Sequence, residues 1–201
     1  SCTIEEMEEY EPHINNNTVV FAGVDYKKIL HEAEKEADII LWDGGNNDTP
    51  FYKPDLWITV ADPLRVGHEL TYFPGRINAE NADVVIINKV DSATREAVKA
   101  VKENIQKINP KALFIEAESP VTVENPEIIK NKKVLVVEDG PTVTHGGMES
   151  GAGTVAAKKL AKEIIDPRPY LTGEMKKTFE EYPHIGKLLP AMGYSGQQIL
   201  D

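Results

Sequence analysis

The 201-residue sequence has a single cysteine, Cys2, which excludes an internal disulfide. No apolar run approaches the length of a membrane span or a secretory signal, so the chain reads as cytoplasmic, with no membrane partner. Clusters of basic residues are absent too. The 22 Lys and Arg face 33 Asp and Glu, and a formal charge of −11 argues against nucleic acid or an acidic membrane surface as a partner. A locally basic pocket for a small anion stays open. No Cys/His constellation has zinc-ligand spacing, and His13, His31 and His184 stand without a ligand partner. The sequence also lacks a phosphate loop, G-x-x-x-x-G-K-[ST]. Upstream of Asp43 the only glycine is Gly23, while Gly186-Lys187 is followed by Leu188 and has Glu181 where the earlier glycine belongs. The chain is therefore expected to need a P-loop portion supplied in cis or in trans, and to be inactive without it. A start without Met, rich in Glu5, Glu6, Glu8, Glu9 and Glu11, fits a truncated chain.

Short apolar runs alternate with helical patterns. Hydrophobic content of 41% is enough to bury a full core, so one domain over residues 1–165 is expected, with residues 166–201 wrapping it. The tail carries Pro167, Pro169, Pro183 and Pro190 and is broken into short pieces. Residues 19–22, 39–42, 56–61, 84–87, 112–115 and 134–137 read as strands. Tyr26, Ile29, Leu30, Ala33 and Ala37 share one helical face after an Asp25 cap, and Val98, Val101, Ile105 and Ile108 define a helix ending before Pro110. The fold class that follows is α/β: a doubly wound, mostly parallel sheet.

Polar residues collect where the strands stop, which is where open α/β sheets bind ligands. The sharpest case is ADVVIINKVD over residues 82–91. An Asp at position 91 can accept from the N1–H and amino group of guanine, Asn88 can pair with the other edge of the base, and the Lys89 stem can lie along its face. This is the NKxD pattern of guanine-reading NTPases. The plainer alternative is a strand end and turn, with Asp91 or Ser92 capping the next helix. Asp43-Gly44-Gly45, at the end of the run 39–42, suits a Mg²⁺-associated carboxylate followed by glycines that let backbone N–H groups approach a γ-phosphate. Its alternative is a strand-to-turn junction in which Asp43 and Asn46 bond the backbone. Asp43 precedes Asn88 in the order and approximate separation of P-loop GTPases and related ATPases, and the fold expectation sharpens to the P-loop NTPase type.

Two further loops carry candidate anion-binding groups. After the run 56–61, Arg65 can grip a phosphate in bidentate fashion and His68 can bind or shuttle a proton; otherwise Arg65 pairs with Glu69 on the surface. Thr144-His145-Gly146-Gly147, with Gly151 and Gly153 before a helix, can form an anion site from successive backbone N–H groups; otherwise it is a flexible loop. Asp43, Arg65, His68 and His145 are thus the catalytic candidates, and Gly146 and Gly147 join Arg65 and His68 for a substrate phosphate.

In order along the chain, YEPHI, FAGVDY, LWDGGNND, ADPLRVGHEL, INKVD, EAESPVTV, VVEDGPTVTHGGM, GAG, DPRPY and LPAMGY resemble the archaeal and bacterial family of cyclic 2,3-diphosphoglycerate synthetases and related GTPases. The sequence departs from it at Thr49 and Val66, where members tend to carry Phe and Pro. The resemblance implies a nucleotide-dependent ligase that uses ATP or GTP with Mg²⁺ and a K⁺ requirement to close 2,3-bisphosphoglycerate into its cyclic pyrophosphate. It also implies a longer protein with a P-loop ahead of this region. Among related NTPases, Ser119 and Pro120 stand where the backbone contacts the base. An enzyme of this kind would activate one phosphate of 2,3-bisphosphoglycerate for in-line attack by the other. A regulatory or chaperone-type GTPase is the alternative from a different class. The oligomeric state is left open.

Overall fold

The computed structural model describes residues 4–45 and 48–191. Asn46, Asn47 and the end of the LPAMGY motif lie outside the described residues. The chain divides into two compact units, Ser1–Ser119 and Pro120–Asp201.

In the first unit, helix α1 (Ile4–Asn15) precedes α2 (Tyr26–Glu36), which Asp25 caps by accepting from the Lys28 N–H at 3.2 Å. Strand β1 (Ile58–Ala61) leads through a 3₁₀ turn (Pro63–Arg65) into α3 (His68–Thr71) and α4 (Gly75–Asn81). Strand β2 (Val84–Ile87), helix α5 (Arg95–Ile108) and strand β3 (Leu113–Glu116) complete it. The three strands are parallel in the order β1-β2-β3, and each strand pair is joined through helices, as parallel strands require. Helix α5 starts where Thr94 accepts from the Ala97 N–H at 3.2 Å, so Thr94 is its cap, and Asp91 and Ser92 are left to the preceding turn. The expected stripe is observed, since Val98, Val101 and Ile105 are buried against Val85, Ile87 and Ala61. Asn109 closes the helix by donating to the Ala79 and Ala82 carbonyls at 3.0 and 2.8 Å.

Two expected strands are not formed. Residues 19–22 and 39–42 run as irregular chain, and Val19, Ile39 and Leu41 are exposed, because no strand among the described residues takes up their backbone groups. Stacking of Tyr26 on Phe51, with ring centroids 4.3 Å apart, and the Tyr52 hydroxyl's bond to the Tyr26 carbonyl at 2.6 Å tie residues 51–52 to the start of α2.

The second unit has two pairs of short parallel strands. The expected run 134–137 is split into β4 (Lys133–Val134) and β5 (Val137–Asp139). After α6 (Gly140–Val143) and α7 (Ala152–Leu160), strand β6 (Glu163–Ile164) pairs with β4; after α8 (Gly173–Glu181), strand β7 (Leu189–Ala191) pairs with β5. The split has a visible cause, because two different partners, β6 and β7, return from later in the unit to its two ends. Val136, Val143, Ala157, Ile185 and Leu188 form this unit's core. The arginine of DPRPY, Arg168, pairs with Asp166 at 2.9 Å, donates to the Ile185 carbonyl and lies over the Phe179 ring, which fastens the tail.

Candidate functional site

The carboxyl ends of β1, β2 and β3 gather most of the first unit's candidate residues. Lys89 leaves β2 with φ +60°, and this left-handed step turns the chain so that the N–H groups of Ser92 and Ala93 bond back to its carbonyl. Its ammonium reaches Oδ2 of Asp62 at 2.9 Å. Arg65 donates to the same oxygen through Nη2 at 3.1 Å and Nε at 3.3 Å, while Oδ1 accepts from the Leu64 N–H at 3.0 Å. Burial pushes the Asp62 carboxyl up, but the Lys89 hydrogen bond, the Leu64 N–H and the charges of Lys89 and Arg65 outweigh it and hold the group below the usual carboxylate range. Two cations thus share one carboxylate, leaving a local excess of positive charge in a chain that is acidic overall. The pairing also fixes the Lys89 stem between two strand ends.

Asp91 follows in the turn, exposed, and its Oδ1 accepts from the Ser119 N–H at 2.9 Å. The loop after β3 is held to that turn by a second bond, Val90 N–H to the Ala117 carbonyl at 3.1 Å. Asn88 is aligned by its N–H on the Ala61 carbonyl at 3.0 Å. The structure therefore brings Asn88, Lys89, Asp91 and Ser119 to one rim, with the Ser119 N–H spent on orienting Asp91. Pro120 begins the second unit.

Beyond that rim, Arg65 pairs with Asp62, and Glu69 is engaged elsewhere, accepting from the Gly67 N–H and from Asn104 Nδ2, both at 2.8 Å. Gly67, at φ +96°, is the αL residue that opens α3. His68 is exposed and packs on the Tyr72 ring, centroids 4.6 Å apart. Asp43 is exposed in irregular chain before Gly44, and the Gly45 N–H donates to Asp48 Oδ2 at 3.0 Å. Asn78 on α4 donates to the Asp48 carbonyl at 2.9 Å. Among the described residues, no group of three or more His, Cys, Asp or Glu side chains is gathered as a metal cage. Magnesium bound through one carboxylate and nucleotide phosphates needs no such cage.

In the second unit the expected anion nest is filled from within. Glu138, 8% exposed, turns its carboxylate into the start of α7, where it accepts from the N–H groups of Gly151, Gly153 and Thr154 at 3.1, 3.3 and 2.6 Å and from the Thr154 hydroxyl at 2.7 Å. A Cβ at Gly151 would lie 2.5 Å from Glu138 Oε2, which explains the glycine. The glycines were legible in the sequence and the occupant was not, although Glu138 stands at a strand end before a G-x-G-T turn. His145 is exposed beside Thr144, with Nδ1 at 3.0 Å from the hydroxyl. That hydroxyl already donates to the Gly140 carbonyl at 2.8 Å, so it accepts from Nδ1–H and leaves His145 Nε2 as the outward group. Gly147, at φ +63°, turns the chain there, and Gly146 packs against the Thr142 carbonyl.

A parallel α/β sheet with polar groups converging at its strand ends defines a class, the open α/β domains that bind ligands at their strands' carboxyl ends. Residues 30–116 match the family model described as the CobW/HypB/UreG nucleotide-binding domain, so this region is a domain of the P-loop NTPase type. Over 199 residues, 98% of its length, the chain is 65% identical to arginine synthetase ArcE of Thermococcus kodakarensis. It is 33% identical over 113 residues to a cyclic 2,3-diphosphoglycerate synthetase of Thermococcus sibiricus, and 26% identical over 94 residues to one of Pyrococcus furiosus, covering 54% and 47% of the chain. The matches span 44%, 25% and 21% of those proteins, so the chain corresponds to less than half the length of each. No solved structure matches it. No helix among the described residues is long and apolar enough to cross a membrane.

Proposed function

We propose that this chain carries the base-binding and substrate-activating part of a nucleotide-dependent ligase. The observation that carries the reading is the rim at the end of β2, where Ser119 orients Asp91 and Asp62 fixes Lys89; Asp62, Lys89 and Asp91 lie within the region similar to a nucleotide-binding domain. In this reading Asn88, Lys89 and Asp91 hold the base, with Ser119 and Pro120 on the loop beside it. Gly44 and Gly45 face the terminal phosphate, and Asp43 assists Mg²⁺. Arg65 and His68 in the first unit, and His145 with Gly146 and Gly147 in the second, are each candidates for an anionic substrate group.

The likeness over 98% of the chain favours a product of the arginine kind. A guanidino group is reached most directly from a ureido group. The ureido oxygen attacks the γ-phosphorus of the nucleotide, the bond to the β–γ bridging oxygen breaks, and the diphosphate leaves. An amine then adds to the ureido carbon, its surplus protons are lost, and the C–O bond breaks to release phosphate. The sequence-based substrate, 2,3-bisphosphoglycerate, is the second reading, favoured by the 33% identity to a synthetase of its cyclic product.

The test supplies the chain joined to the remaining polypeptide of its relatives with Mg²⁺ and either ATP or GTP, with and without K⁺. One arm receives citrulline and ammonium, the other 2,3-bisphosphoglycerate, followed by ³¹P NMR and amino-acid analysis. Arginine formed in step with nucleoside diphosphate supports the first reading, and a cyclic pyrophosphate signal supports the second. Nucleotide hydrolysis at a rate that neither substrate changes refutes both and leaves the regulatory GTPase.

A further inference from the structure

The sequence holds no long basic run, yet the second unit assembles a basic cluster from two separate places. Residues 130–133 read Lys-Asn-Lys-Lys, and residues 158–162 read Lys-Lys-Leu-Ala-Lys. Backbone bonds zip the two segments together. The Asn131 N–H donates to the Leu160 carbonyl at 2.9 Å, and the Lys162 and Glu163 N–H groups donate to the Lys132 carbonyl at 2.9 and 3.4 Å. Asn131, at φ +59°, makes the bend that leads into β4. Lys130, Lys132, Lys133, Lys158, Lys159 and Lys162 therefore each lie within two residues of the bonded pair Asn131 and Leu160, and all are exposed.

Their charges do not cancel. Lys130 pairs with Glu127 at 3.1 Å and Lys133 with Glu163 at 2.9 Å. Among the described residues, Lys132, Lys158, Lys159 and Lys162 have no carboxylate partner. Six ammonium groups against two carboxylates leave a surplus of four positive charges. The carboxyl end of α7 carries about half a negative charge, which favours lysines there but offsets only a small part of that surplus. Glu163 registers the field around it. Its carboxyl is held below the usual range first by the hydrogen bond and charge of Lys133, then by the charges of Lys162 and Lys187, so Lys187 acts on the same place.

We propose that this junction of β4, β6 and the end of α7 binds a compact multivalent phosphate anion, a group of two or three linked phosphates. Lysine ammoniums are point charges with three donors on flexible stems, which suits a cluster of phosphate oxygens that no planar fork could cover. Neither segment carries an arginine or an aromatic ring, the groups that read and stack nucleic-acid bases. Size argues the same way. At physiological salt charges act over about 8 Å, so a small anion among these lysines meets the local surplus alone. An extended polyanion would also meet the rest of a chain whose formal charge is −11. An anion bridging residues 130–133 and 158–162 would fasten the start of β4 to the end of α7 and stabilise the second unit by mass action. The site uses no residue of the rim after β2, so it stands or falls independently of the ligase reading.

The test titrates inorganic tripolyphosphate into the 201-residue chain at physiological salt without Mg²⁺. Amide shifts in ¹H–¹⁵N spectra are expected to concentrate at residues 130–133 and 158–163 and to saturate, and orthophosphate should bind about tenfold more weakly or worse. The double variant Lys132→Gln/Lys162→Gln should weaken tripolyphosphate by about tenfold or more, and the rise in melting temperature that the anion gives the wild type should disappear. Lys176→Gln/Lys177→Gln removes the same charge from exposed positions on α8 and should weaken binding by less than about twofold. Equal losses for the two double variants would overturn the proposal, as would shifts spread over the lysines of both units or equal affinity for the two phosphates. A single-stranded RNA that binds through the same lysines more tightly than tripolyphosphate would also overturn it and make the junction a nucleic-acid surface.

Discussion

Replacing Glu138 tests whether the second unit is organised around a buried anion. In Glu138→Ala, the Thr154 N–H and hydroxyl, both in a buried residue, lose their acceptor, while the more accessible Gly151 and Gly153 N–H groups can turn to water. An unsatisfied buried donor costs about 1–3 kcal/mol, so the net loss should be about 3 kcal/mol. Glu138→Gln keeps one acceptor oxygen for Gly151 and Thr154 but removes the charge at a helix start, worth up to about 2 kcal/mol when partly buried. It also turns an amide N–H₂ toward the Gly153 N–H, and should cost about 1.5 kcal/mol in all. For a unit of roughly 80 residues, each kcal/mol moves Tm by about 4–8 °C, so the melts should separate cleanly in the order wild type, Gln, Ala. Urea unfolding followed by circular dichroism measures the loss, and hydrogen exchange locates it around residues 138–160. A loss below about 0.5 kcal/mol for Ala, or a gain in stability for Gln, would refute the claim that the carboxylate is well held.

Three other outcomes follow from named contacts. Because Asp62 is held below its usual range, its contribution is fully present above the unfolded value near pH 4 and is lost as pH falls through the folded value. The stability gap between wild type and Asp62→Asn should therefore be flat from about pH 5 to 8 and shrink below about pH 4, read from urea midpoints; a gap that grows on acidification would contradict the pairing. Thr94→Ala should destabilise the first unit by about 1 kcal/mol through loss of the α5 cap, whereas Ser92→Ala should change it by a few tenths at most. Gly151→Ala drives a methyl group into Glu138 and should cost about 1–3 kcal/mol in the same urea assay.

The contrast between α5 and residues 39–42 marks how far the sequence could be read. Val98, Val101 and Ile105 repeat on one face and meet strands in the same unit, so periodicity was enough to place the helix. Residues 39–42 have the composition of a strand, but a strand needs a neighbour, and none among the described residues pairs with them. The run 134–137 failed for a related reason, since its ends answer to β6 and β7, both distant in sequence. At the rim, the NKVD motif drew attention to the end of β2. It did not reveal that Asp62 holds Lys89 or that the Ser119 N–H turns toward Asp91, because both contacts cross between strands. The glycines before α7 pointed to an anion site, and the anion proved to be a side chain of the same unit.

On the ligase reading, the rim after β2 seats a nucleotide base through Asp91. Titration of the joined protein with fluorescent GDP and ADP analogues, for wild type and Asp91→Ala, tests it most directly. Hydrogen bonds to a charged acceptor are worth about 1.5–3 kcal/mol, so affinity for the preferred nucleotide should fall about 10- to 100-fold while the melting curve stays in place. A larger loss for GDP identifies guanine, since adenine presents an acceptor at N1 where the carboxylate requires a donor. Unchanged affinity for both nucleotides would contradict the claim.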